Sequence, residues 1–315
     1  MYNPPPGPPP NKTAGPNEPL PYHDWQAVPD TARLPPPPSI SHEYSPAANA
    51  TKDESDRAAT WCRHNPLWTA RRLTPEQLQA IRSRNFVPVK PPSFVGDLVS
   101  NTSTVGSWKC RTSSSCPDSL LHTALPIYSA LSDSPRTADA NTIIYFEVKI
   151  LGIGRSHHHS LHKRQDDADS GLAIGFFAPP YPSFRLPGWQ RGSLAVHSDD
   201  GRRYVADTHG GVDFTEPFKP GQTVGLGMTF RIPEKPPAYG EQAHLFDVEV
   251  FFTRDGKRIG EWDLHEERDE LDEDVRGLEG ECDLFPAIGV FGCCDFEVRF
   301  HERDWMYKEA MLTQE

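Results

Sequence analysis

Several signatures are missing from this sequence, and each absence removes a class of function. No stretch of about 18 apolar residues occurs, so no membrane span is expected. The opening MYNPPPGPPP has neither the basic start nor the apolar core of a secretory signal. Six cysteines are present (Cys62, Cys110, Cys116, Cys282, Cys293 and Cys294), and none forms a C-x-x-C pair. Reduced thiols are the expectation without a signal. Cys293–Cys294 falls in a strand-like run and reads as small buried apolar side chains. The glycines at 225, 227, 289 and 292 are not followed by Gly-Lys-Ser/Thr, so they fit bulges or close backbone approach, not a phosphate loop. No G-x-S-x-G turn exists. Positive charge is short as well: 32 Lys and Arg stand against 44 Asp and Glu, a net charge of −12. Such a chain is not built for a phosphate backbone, and nucleic acid is not an expected partner. The pairs Arg71–Arg72 and Arg202–Arg203 are too short to alter that.

Proline is in excess. The 315 residues include 33 prolines, about twice the usual ~5% share, and much of the excess precedes residue 50. PPPGPPP and PPPP favour polyproline II, which has no internal hydrogen bonds and builds no core. Residues 1–50 are therefore expected to be a disordered arm, serving either as a ligand for SH3, WW or profilin-type grooves or as a solvated spacer. From residue 51 the character changes. DESDRAATWCRHNPLW suits a short helix ending before Pro66. In LTPEQLQAIRSRNF, Thr74 caps, Pro75 suits the first turn and Gln77 completes a capping box. So small a helical piece must dock on something larger, with Trp61, Trp68 and Phe86 as the docking side chains. Residues 88–141 read as irregular and polar, wrapping a domain edge.

Strand-like runs then recur at the spacing of an antiparallel sandwich. In IIYFEVKIL, Ile144, Phe146, Val148 and Ile150 share one face, and Glu147 and Lys149 point the other way. FDVEVFFT repeats the pattern and runs into Arg254-Asp255-Gly256-Lys257, a hairpin signal. No helical crossover separates the runs, which argues against a parallel sheet. The polar stretch 155–170 and the acidic stretch 265–283 read as solvated insertions.

Candidate chemistry is thin. His157, His158, His159 and His162 cluster without a second ligand pair, so no metal site and no cofactor are expected. His197, Ser198 and Asp199 are triad residue types, but adjacency is not triad geometry. Asp199-Asp200-Gly201 reads as a hairpin turn. No catalytic residue is assigned, and the chain is not expected to be an enzyme. Pro236-Pro237-Ala238-Tyr239 is a full P-P-x-Y motif, the ligand type gripped by WW domains. Pro236, Pro237 and Tyr239 are its contact residues.

GLAIGFFAPPYPSFRLPGWQRGSLAVHSDDGRRY, residues 171–204, is the most distinctive stretch. IGFFAPPYPSFRLPGW followed by VHSDDGRRY resembles the SPRY domain. IIYFEVKI, PGQTVGLGMTF, VEVFFTRDGKRIGEW and LFPAIGVFG support the resemblance in the expected order, from roughly Leu120 to Phe300. It is closest to fungal SPRY proteins that act as adaptors for HECT-type ubiquitin ligases. Some of those are held in endosomal or vacuolar membranes by an N-terminal helix, a feature this sequence lacks. The resemblance implies an all-β SPRY sandwich over 120–302, with a helical and irregular extension over 51–119 and a tail over 303–315. It also implies a partner-binding surface using Tyr181, Arg185, Trp189, His197 and Asp199, with the side chains exposed as hot spots are. The function that follows is a monomeric cytoplasmic adaptor, recruited to endosomal or vacuolar membranes through partners. It would present cargo proteins to a WW-domain ubiquitin ligase. The alternative is a cytoskeletal or SH3- or profilin-linked scaffold acting through the polyproline arm.

Overall fold

The computed structural model describes residues 51–101, 106–154, 170–234, 244–268 and 274–312. The proline-rich arm, the histidines at 157–162 and the P-P-x-Y at 236–239 lie outside the described residues. Two helices open the described chain: α1 (Lys52–His64) and α2 (Pro75–Arg82). Each starts on a complete capping box, Thr51 with Glu54 and Thr74 with Gln77. These reciprocal bonds satisfy donors that the first turn leaves orphaned.

Thirteen strands follow: β1 (Pro88–Val89), β2 (Gly96–Ser100), β3 (Ser107–Thr112), β4 (Ser119–Thr123), β5 (Thr142–Ile153), β6 (Gly171–Phe177), β7 (Ser193–His197), β8 (Arg203–Val205), β9 (Thr223–Arg231), β10 (Asp247–Arg254), β11 (Lys257–Asp263), β12 (Phe285–Phe291) and β13 (Cys294–Arg299). They form two antiparallel sheets, ordered β1-β4-β12-β6-β7-β8 and β11-β10-β9-β5-β13-β3-β2. The stretch expected to be irregular, 88–141, thus supplies four strands. The last two strands, β12 and β13, lie inside the sheets, each joining an early strand to the rest.

One core cluster fills the space between the sheets. Ile144, Phe146, Val148 and Ile150 of β5 meet Leu172, Ile174 and Phe176 of β6, with Val248, Val250 and Phe252 of β10 beside them. The hairpin between β10 and β11 turns at Asp255 and Gly256, both at positive φ, which is why Asp-Gly stands there. Glu147 points away from the apolar row, as the alternation implies, and is nevertheless buried. Residues 303–310 fold over the outer face of the second sheet, with Trp305 and Tyr307 packed on Tyr145 and Phe251. Glu147 accepts the Met306 N–H at 2.8 Å, the Tyr307 N–H at 2.9 Å and the Tyr145 hydroxyl at 3.0 Å. Burial nevertheless holds its carboxyl above the ordinary range. The acidic stretch is not wholly solvated either, since Leu278 and Cys282 are buried. All six cysteines are free thiols, and burial pushes Cys282 and Cys294 up to about 12.

Candidate functional site

The outer face of the first sheet is paved with small residues. Across β12, β6 and β7 the outward rows read Gly289–Ala173–His197 and Ala287–Gly175–Ala195, followed by Phe285–Phe177–Ser193. The loop joining β6 to β7, residues 178–192, lies down on this face. Leu186 Cδ2 and Pro187 Cδ come within 2.6 Å of where a Cβ on Gly289 would stand, so only glycine admits them.

The loop is tied down by the residues the resemblance singles out. The Tyr181 hydroxyl donates to the Leu186 carbonyl at 2.6 Å and accepts from the Gln190 N–H at 3.2 Å. His197 Nε2 donates to the Pro187 carbonyl at 2.9 Å. A carbonyl only accepts, so the proton sits on Nε2. The His197 ring is 4.2 Å from that of Tyr204 and 5.4 Å from that of Trp189. Arg185 stacks its guanidinium on Trp189, 4.3 Å from the ring centre. Its Nε and Nη1 are buried and have no hydrogen-bond partner among the described residues. Burial lowers the Arg185 pKa, and the nearby Asp118 and Glu54 carboxyls oppose that. Burial also pushes the Asp118 carboxyl up to about 6 and raises that of Asp199, which the His197 charge opposes.

The exposure expected of these side chains is not found. Tyr181 and Trp189 are 7% exposed, Arg185 and His197 3%, and Asp199 is half-buried. They bind the loop to the sheet because the small-residue face leaves a trough that large side chains fill.

What stands open is a groove of about 430 Å³ beside them, within the range of ligand-holding clefts. Its floor is Leu120, Phe177, Tyr181 and Phe285, and its far wall is the strap between the two helices, with Trp68 and Leu73. The strap is pinned by the Trp68 N–H donating to the Pro179 carbonyl at 2.8 Å and by Arg191 donating to the Asn65 carbonyl. The Arg71 N–H donates to Asp283 at 3.1 Å. Trp68, expected as a docking side chain, is 44% exposed, whereas Phe86 is buried against Phe300 at 5.4 Å. Arg71 lies over the Trp68 ring at 3.9 Å, and Arg71 and Arg72 form a basic rim. His122 closes one end, in T-shaped contact with Phe177 and Phe285, and burial lowers its pKa. An aromatic floor below a basic rim suits an apolar side chain with an acidic neighbour. Sequence reading missed this groove because its walls come from three distant segments. The available signal was Trp68 three residues before Arg71–Arg72.

Comparison with known proteins addresses the family. The protein ssh4 of Sclerotinia sclerotiorum is 32% identical over 144 residues, covering 45% of this chain and 22% of that protein. A SPRY domain-containing protein of Schizosaccharomyces pombe is 28% identical over 174 residues, covering 55% of this chain and 34% of that protein. The chain is similar to SPRY-domain proteins over about half its length. Among solved structures, a human SPRY domain is 20% identical with a TM-score of 0.37, covering 65% of this chain and 95% of that one. No family model matches. The curated SPRY relatives are much longer: the alignments take in between 21% and 34% of their length. Their names support a protein-interaction module. Among the described residues no helix is long and apolar enough to cross a membrane.

Proposed function

We propose that this chain is an adaptor that holds a segment of a cargo protein in the groove beside Tyr181 and recruits a WW-domain ubiquitin ligase through Pro236, Pro237 and Tyr239. The observation that carries the reading is the open, aromatic-floored groove in a relative of SPRY interaction modules. In this reading Tyr181 meets the cargo from the groove floor. Arg185, Trp189 and His197 hold the loop in shape from beneath, and Asp199 shapes the turn after β7. The protein acts in the cytoplasm, as a monomer, and reaches endosomal or vacuolar membranes through its partners.

Two substitutions separate the two halves of the proposal. Trp68→Ala removes the exposed groove wall, and Tyr239→Ala removes the tyrosine that fills a WW pocket. Affinity purification with mass spectrometry is expected to show cargo lost and ligase kept for the first, and the reverse for the second. Titration calorimetry with an isolated WW domain checks the ligase half directly. Equal WW affinity for wild type and Tyr239→Ala refutes the ligase contact, and a partner set unchanged by Trp68→Ala refutes the groove.

A further inference from the structure

Away from that groove, three side chains from separate segments converge on one point. His244 stands three residues before β10, His265 two residues after β11, and Glu279 in the segment that leads to β12. Their ligand atoms all lie within 4.8 Å of one another. His265 Nε2 is 2.9 Å from Glu279 Oε1, and His244 Nδ1 is 3.5 Å from the same oxygen. The two imidazole rings face each other with centres 3.7 Å apart.

We propose that His244, His265 and Glu279 form a binding site for a divalent transition-metal cation, zinc in the first instance. Two imidazoles and a carboxylate are a known zinc donor set that leaves a fourth position to water. A supporting shell is present. Asp263 Oδ1 lies 3.6 Å from His265 Nδ1 and accepts the His265 backbone N–H at 2.9 Å. A carboxylate behind a ligating histidine orients its ring. Glu279 and Asp263 together balance the two charges of the cation.

The backbone at each ligand is held by the core. Phe246 is buried two residues beyond His244, and the Leu264 N–H donates to the Val248 carbonyl at 2.9 Å just before His265. Buried Leu278 and Gly280 flank Glu279, and the Gly280 carbonyl accepts the Tyr128 hydroxyl at 3.1 Å. Sequence spacing gave no hint of the site, because the ligands are single residues on three loops and not a paired motif.

The test is titration calorimetry of the chelator-treated full chain with Zn2+, alongside the visible absorption of the Co2+ form. One cation per chain is expected, with the d–d bands of four-coordinate Co2+. His244→Ala, His265→Ala and Glu279→Gln should each lower affinity at least about tenfold, the lower end of what losing even an outer-shell partner costs. Glu279→Gln keeps the shape of the side chain and His244 is exposed, so these variants remain informative if His265→Ala does not fold. The control replaces His157, His158, His159 and His162 with serine and should bind as wild type. Wild type failing to bind, Glu279→Gln and His244→Ala binding equally well, or the control alone losing the metal would overturn the proposal.

Discussion

Tyr181 shows how a single hydroxyl can fasten a loop. It donates to Leu186 and accepts from Gln190 within one buried turn, and burial holds its own ionisation above the ordinary phenol range. Tyr181→Phe leaves the ring in place and strips both partners. A loss of about 1–3 kcal/mol is expected, the penalty for buried groups left unpaired, measured by urea denaturation. Asp118 is a second informative residue. Its carboxyl is pushed up to about 6 by burial, above the unfolded value of about 3.9. A raised folded pKa means that folding takes up a proton, so this contribution is complete below about pH 4 and is lost as pH rises through about 6. Asp118→Asn should flatten the stability curve between those limits, which denaturation midpoints across the range would show. A wild-type curve no steeper than that of the variant would refute the assignment. At this scale the sequence pointed to side chains that fasten the loop, and it missed their burial. Exposure at Trp189 or Arg185 is decided by the small side chains of β6, β7 and β12 beneath them. The signal was the unbroken run GLAIGFF, too apolar on both faces for a strand with one face in water.

Strands were legible where apolar residues alternate, as in β5, β9 and β10, and invisible where they do not. In β3 the inward row is Trp108, Cys110 and Thr112, in which Trp108 alone carries a strong hydrophobic signal. Thr112 instead earns its place by donating to the Gly292 carbonyl at 2.6 Å, 180 residues along the chain. The C-terminal segment escaped notice for a similar reason. Its docking rests on the Trp305 and Tyr307 rings and on Glu147, a carboxylate on the face of β5 opposite the apolar row. Glu147→Ala should leave the Met306 and Tyr307 N–H groups unpaired, at about 1–3 kcal/mol each. Hydrogen exchange is expected to quicken at residues 305–307 before the sheets are affected. Exchange that rises uniformly across β5 and β9 would show that the segment has no independent opening.

Among the described residues the N-terminal helices are structural members of the sandwich, with Ile81 of α2 and Phe86 after it in the core cluster. A chain beginning at residue 88 would lose Phe86 from the core and uncover Phe177, Tyr181 and Phe285. It should bind the dye ANS and melt earlier than the full chain, by an amount that reflects at least the ~3–5 kcal/mol of a deleted core phenylalanine. Equal melting temperatures would mean that the sandwich stands without its helices. The strand order also has a consequence for synthesis. β6 must wait for β12 and β5 for β13, so β5 keeps an edge of N–H and C=O groups unpaired while the ribosome adds residues 154–294. At about 5–20 residues per second that interval is roughly 7–28 s. An open strand edge is a template for any other chain, so the nascent protein is exposed to mispairing until its last two strands emerge.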